Sequence, residues 1–192
     1  MQKSFTDKCF VRYADDIVVH CKSEKQAHFL LDKIRERLAS CKLEVHPVKT
    51  KIVNLRGYSS IRYARSFDFL GFTLRPHWSR TNKGLRLTPY VGISRKSVSR
   101  ILEKFKCMQI HKWRKPIEEL AAKLSSVIRG VMNYYRIGAA KASVSLWNQL
   151  NLRLLKWVKW EKRLPKEAAL SWLRKKYRQK PALFPHWKLV YP

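Results

Sequence analysis

From Ser94 to Tyr177 the apolar residues recur every three or four positions, whereas before Ser94 they come in short β-branched and aromatic runs. That change of period constrains the fold most, because a period of 3.6 buries one helix face and a period of two buries one sheet face. Val98, Ile101, Leu102 and Phe105 mark one helix. Pro116, suited to a first helical turn, starts another through Ile117, Leu120, Ala121, Leu124, Ile128 and Val131. Leu146, Trp147, Leu150, Leu154, Trp157 and Val158 mark a third, and Ala169, Trp172, Leu173 and Tyr177 a shorter fourth.

The front part reads as β-β-α-β-β. Cys9–Tyr13 and Ile17–Cys21 flank Ala14-Asp15-Asp16, a tight hairpin. Ser23 and Gln26 form a capping box for a helix whose buried face is Ala27, Leu30, Leu31, Ile34 and Leu38. Leu43–Val45 and Lys51–Leu55 read as strands around a His46-Pro47 turn, and Phe67–Leu74 as a further strand. The basic, glycine-containing stretch Arg75–Gly84 reads as an exposed loop. The expected class is α+β, an α+β front followed by an all-α back. The boundary falls near residues 78–92, giving a first domain over 1–85 and a second over 86–192.

Charge then says what such a chain meets. Its 192 residues hold 42 Lys and Arg against 13 Asp and Glu, a net +29. With 45% hydrophobic residues and seven Trp it is a folded domain rather than a basic disordered tail. Folded chains that keep so much like charge expect a polyanion, nucleic acid first and an anionic membrane second. No apolar run approaches the ~20 residues needed to cross a bilayer, and the N-terminus has no signal-peptide core. Cys9, Cys21, Cys41 and Cys107 form no CxxC pair, so free thiols and a cytoplasmic location are expected. Charge is uneven: residues 1–50 carry a net +3, residues 51–150 +16 and residues 151–192 +10. An acidic feature at the front thus precedes a broad polyanion-binding body.

The acidic feature is Tyr13-Ala14-Asp15-Asp16, two adjacent carboxylates at a hairpin tip with no Lys or Arg inside the turn. A divalent cation such as Mg²⁺ would relieve their repulsion. A merely polar turn is the alternative, since Asp favours turns.

Order distinguishes these readings. Phe10–Asp16 resembles the YxDD motif of reverse transcriptases, in the YADD form of the bacterial group II intron-encoded proteins. Leu43–Ile52 resembles the palm motif that follows, and Phe69-Leu70-Gly71-Phe72 the primer grip. Ile128–Arg136 resembles the RG-x-x-NYYR signature of the maturase (thumb, or X) domain, and Leu183–Lys188 the end of that domain. The resemblance implies the end of a palm (hairpin, helix and strands) followed by a helical thumb/maturase domain. It implies RNA-directed DNA polymerisation by two Mg²⁺ ions, as in a mobile-element nucleotidyltransferase. Asp15 would ligate metal with Asp16 supporting it, Tyr13 would lie close to primer–template, and Phe69, Leu70 and Gly71 would grip the primer. Lys49, or Lys51, would protonate pyrophosphate; a solvated lysine is the equal alternative. Phe67 or Phe69 also fits a buried core position. The implied partners are group II intron RNA, whose splicing it would assist, and an RNA template with a DNA primer.

In that family a further metal-binding Asp lies upstream. Only twelve residues precede Tyr13, and Asp7 is a poor substitute. The chain alone is therefore expected to be inactive as a polymerase, whether as relic, fragment or half of an enzyme completed in trans by an N-terminal segment. The alternative function is a non-catalytic RNA-binding splicing cofactor. A ribosomal-type basic protein would explain the charge but not the motif order. No HNH-type nuclease module is expected.

RNA contact is expected from Arg129, Tyr134, Tyr135 and Arg136, with one tyrosine buried and the other at the surface beside Arg136. Lys156, Lys159, Lys162 and Arg163 form a basic face opposite Leu154, Leu155 and Val158. Arg174, Lys175 and Lys176 begin a second cluster. Both clusters hold almost no acids, unlike an ordinary solvated face.

Overall fold

A computed structural model of the chain describes residues 10–56, 63–82, 84–136 and 143–192. Cys9 and Asp7 lie outside them. The chain divides into two compact units, Met1–Phe69 with Pro76–Thr88, and Leu70–Arg75 with Pro89–Pro192. The class is α+β.

In the first unit, β1 (Phe10–Tyr13) and β2 (Asp16–Val19) pair antiparallel, Phe10 opposite Val19 and Tyr13 opposite Asp16. Helix α1 (Glu24–Ser40) starts at the expected Ser23 cap, with Gln26 reaching back to the N–H one residue before the cap rather than to that of Ser23. Ser23 Oγ accepts from the Gln26 N–H at 3.2 Å, and Gln26 Oε1 accepts from the Lys22 N–H at 2.7 Å. Leu30 is its buried residue, and Ala27, Leu31, Ile34 and Leu38 are half-buried.

Three expectations fail here. Leu43–Val45 and Lys51–Leu55 are not strands; among the described residues only Val53 bridges, in parallel, to Ala64. Leu43 is 57% exposed, and the second run makes a single bridge rather than a ladder, with the Asn54 N–H donating to the Ala64 carbonyl at 2.9 Å. Phe67–Leu74 is not one strand. It is β3 (Phe67–Phe69), a turn at Leu70-Gly71, and the start of β4 (Phe72–Thr81). Arg75–Gly84 is not a loop, for β4 continues to Thr81 and returns as β5 (Gly84–Ile93). The Thr88 hydroxyl donates to the His77 carbonyl at 3.1 Å, and the Thr81 hydroxyl to the Gly84 carbonyl at 2.9 Å. The second sheet runs in the order β3-β4-β5.

The second unit is helical beyond Ser94, with α2 (Arg95–Cys107), α3 (Ile117–Tyr134), α4 (Val144–Lys162) and α5 (Lys166–Gln179). Ser94 Oγ caps α2 by accepting from the Ser97 N–H at 3.2 Å. The four stripes read from the sequence form one core. Phe105, Leu120, Leu124, Ile128, Leu146, Trp147, Leu150, Leu154, Trp157 and Leu173 are all fully buried in it.

The C-terminal segment closes this core through a 3₁₀ turn, Pro185–Lys188, packed on α3. Asn151, buried on α4, is the hub. Its Oδ1 accepts from Trp187 Nε1–H at 3.1 Å. Indole nitrogen only donates, which fixes the amide orientation, so His186 Nε2 must donate to the same oxygen at 2.8 Å. That leaves Nδ1 as a buried lone pair without a partner among the described residues, and His186 neutral. Burial lowers its pKa from 6.5 to about 3. The unfolded chain therefore binds one more proton than the folded chain between those values. Stability from this site is complete above pH 6.5, is lost as pH falls through that range, and stops changing below about 3. Lowering pH from about 7.5 to about 5 is expected to cost about 2 kcal/mol in urea melts. A His186→Gln chain, less stable at neutral pH, is expected to lose that part of the slope; an unchanged slope would refute the assignment.

Candidate nucleic-acid interface

The β1–β2 hairpin turns on two residues, Ala14 and Asp15. Ala14 has φ of 51°, a left-handed conformation that the turn demands. The Arg12 Nε–H donates to the Ala14 carbonyl at 2.9 Å and braces it. This arrangement commits the arginine to backbone and leaves the carboxylates alone. Asp15 and Asp16 are exposed, and neither takes part in an ion pair among the described residues. Tyr13, opposite Asp16, is 62% exposed beside them. Two unpaired carboxylates on one turn suit a divalent cation whose remaining ligands come from water and phosphate. No group of three or more His, Cys, Asp or Glu suited to a metal occurs among the described residues. Lys49 and Lys51 are both exposed, Lys49 in a turn closed by the Thr50 N–H donating to the His46 carbonyl at 3.0 Å. Among the described residues no hydrogen bond or ion pair joins Lys49 to Asp15 or Asp16.

In the second unit, the Leu70-Gly71 turn is built against the end of α3. Leu70 and Gly71 both have positive φ, 49° and 78°. A Cβ on Gly71 would lie 2.9 Å from Ser97 Oγ and 3.0 Å from Tyr135 Oη, so only glycine fits. The Tyr134 hydroxyl donates to the Leu70 carbonyl at 2.9 Å, and the Ser94 N–H to the Gly71 carbonyl at 2.9 Å. Phe72 stacks on Tyr134 with centroids 5.7 Å apart and meets Tyr135 edge-on at 5.0 Å. The tyrosine pair thus divides as expected, Tyr135 buried and Tyr134 exposed with Arg136. Both are committed to holding this turn, a structural duty that the sequence does not announce. Phe67 and Phe69 are half-buried rather than buried.

Cations cover the helices. Arg129, Arg136, Lys156, Lys159, Lys162, Arg163 and Lys175 are exposed and in no ion pair among the described residues. Two further cations of the expected second cluster also make contacts within the fold. Lys176 Nζ lies 3.3 Å from Glu118 Oε1 and over the Trp172 ring. The Glu118 carboxyl sits below its ordinary pKa, held first by a backbone N–H and then by Lys176. Arg174 Nε–H donates to the Pro192 carbonyl at 3.3 Å, and its guanidinium lies over Tyr191. Sequence reasoning also missed Trp160, which is 74% exposed between the α4 cations.

Two known families match parts of the chain. Residues 1–74 match the reverse transcriptase (RNA-dependent DNA polymerase) family. Residues 98–178 match the group II intron maturase-specific domain. Among curated proteins none matches. No helix among the described residues is long and apolar enough to cross a membrane.

Proposed function

This chain belongs with the group II intron reverse transcriptase/maturases, as their C-terminal part, and from that premise we propose that it couples nucleotide-joining chemistry to intron RNA binding. One observation carries the reading. Unpaired carboxylates on a two-residue hairpin turn precede, in the same chain, a helical body on which Arg129, Arg136, Lys156, Lys159, Lys162, Arg163 and Lys175 are exposed and enter no ion pair among the described residues. In this proposal Asp15 and Asp16 hold Mg²⁺, which supplies charge neutralisation at the attacking and leaving oxygens. Tyr13 and the Phe69-Leu70-Gly71 turn position primer and template. Lys49 donates a proton to pyrophosphate. Arg129, Arg136, Lys156, Lys159, Arg163 and Lys175 bind phosphates of the group II intron RNA, which assists its splicing. Location in the cytoplasm and completion by a palm segment in trans belong to the same reading.

A specific observation supports a second reading, a non-catalytic RNA-binding cofactor: the hairpin brings together two carboxylates and no third among the described residues. Both readings share one test. Filter binding of the 192-residue chain to a group II intron RNA over a salt series is expected to show affinity falling steeply with salt, because each neutralised phosphate releases counterions. Primer extension by this chain alone, with Mg²⁺ and dNTPs, is expected to be at background. Salt-insensitive or absent RNA binding would sink both readings, and robust extension would sink the proposal that a completing segment is needed.

A further inference from the structure

We infer that Trp160 on α4, flanked by Lys156, Lys159 and Arg163, is a stacking platform for an unpaired RNA base. The inference rests on the RNA-binding reading above and adds a site and a ligand class to it.

Three of the seven tryptophans, Trp147, Trp157 and Trp187, are at most 2% exposed, whereas Trp160 is 74% exposed. A large aromatic left in water forgoes burial that its neighbours on the same helix obtain. Among the described residues no ring contact or cation–π contact occupies it. At 3.6 residues per turn, Leu152, Lys156, Lys159 and Trp160 share one outer face of α4, turned away from the buried Leu150, Leu154 and Trp157, and Arg163 follows at the left-handed C-terminal cap of the helix. Lys156, Lys159 and Arg163 enter no ion pair among the described residues. The nearest acid in sequence, Glu161, is taken up by Arg114 at 3.2 Å. A single π face amid uncompensated cations offers stacking to a base and charge to its phosphates.

The two competing occupants fit less well. A second copy meeting this face isologously would bring the same cations against themselves. A membrane needs an apolar face to insert, and that of α4 is buried in the core.

The experiment uses the full chain with a short oligoadenylate and with a short blunt-ended RNA duplex whose bases are all paired. Trp160→Ala is expected to weaken oligoadenylate binding about tenfold. It should leave duplex binding, the melting temperature and the slope of log affinity against log salt unchanged. Trp160→Phe should retain most of the affinity. Replacing Lys156, Lys159 and Arg163 together by Gln is expected to reduce the single-strand salt slope by about 2. Equal losses on both RNAs, or none, would overturn the platform while leaving the broader reading standing. Wild-type self-association, or binding to anionic phospholipid vesicles, that Trp160→Ala abolishes would overturn it too. A wild-type chain that binds neither RNA would overturn both.

Discussion

An Asp15→Asn chain is expected to lose primer extension by about 10³-fold or more when assayed with a reverse transcriptase palm segment supplied in trans, while its affinity for intron RNA stays within about twofold. The size follows from the chemistry: an amide has the same shape but brings no charge to a divalent cation. The selectivity follows from the hairpin. Ala14 supplies the left-handed residue, Arg12 braces the turn through the Ala14 carbonyl, and Tyr13 pairs with Asp16. No side-chain hydrogen bond of Asp15 to the described residues enters that list, so the turn survives the substitution within about 0.5 kcal/mol. The cations proposed to bind RNA lie on other elements, and removing one negative charge from a +29 chain should not weaken its hold on a polyanion. Extension that persists in the Asp15→Asn chain, measured by gel-resolved product length, would mean that the two carboxylates are a polar turn. Equal loss of RNA affinity would mean that chemistry and RNA grip are not divided between the two parts of the chain.

How far such statements could be read from sequence depends on where the energy lies. Helices α2 to α5 were legible because each buries a stripe at helical spacing, and every stripe residue from Ile117 to Ile128 is in the core. The Ser23–Gln26 box was legible because its two hydrogen bonds are local. The β4–β5 hairpin was not. It is half solvated and basic, with Arg75 over Tyr90 and hydroxyl bonds from Thr88 and Thr81, so neither an apolar run nor strict alternation marks it. Leu43–Val45 failed in the opposite sense, having strand composition without a strand beside it. At the candidate site the carboxylates and most exposed cations were legible as residue types in order. What Tyr134, Lys176 and Arg174 touch was not, because the Leu70 carbonyl, Glu118 and the Pro192 carbonyl are distant in sequence. The hub at Asn151 was hidden for the same reason, a polar residue inside an apolar stripe whose partners lie 35 and 36 positions away.

That hub makes the second large effect a structural one. Trp147→Ala is expected to destabilise the second unit by about 3–5 kcal/mol and to lower its melting temperature by about 15 °C or more. Trp147 is fully buried, its indole N–H donates to Ser143 Oγ at 3.1 Å, and its ring stacks on His186 with centroids 5.5 Å apart. Truncation leaves a cavity where α4 meets the C-terminal segment, beside a histidine whose Nδ1 already lacks a partner among the described residues. Trp160, thirteen residues along the same helix, gives the internal comparison, because Trp160→Ala removes an exposed ring and should leave stability within about 0.5 kcal/mol. The two variants then separate folding from binding. Trp147→Ala should bind RNA normally at temperatures below its lowered melting point and lose binding as it melts. Trp160→Ala should bind oligoadenylate weakly at every temperature while melting like the wild type. Circular dichroism melts run beside binding at several temperatures decide it: an unshifted Trp147→Ala melt would mean that the C-terminal segment does not close the core through this ring.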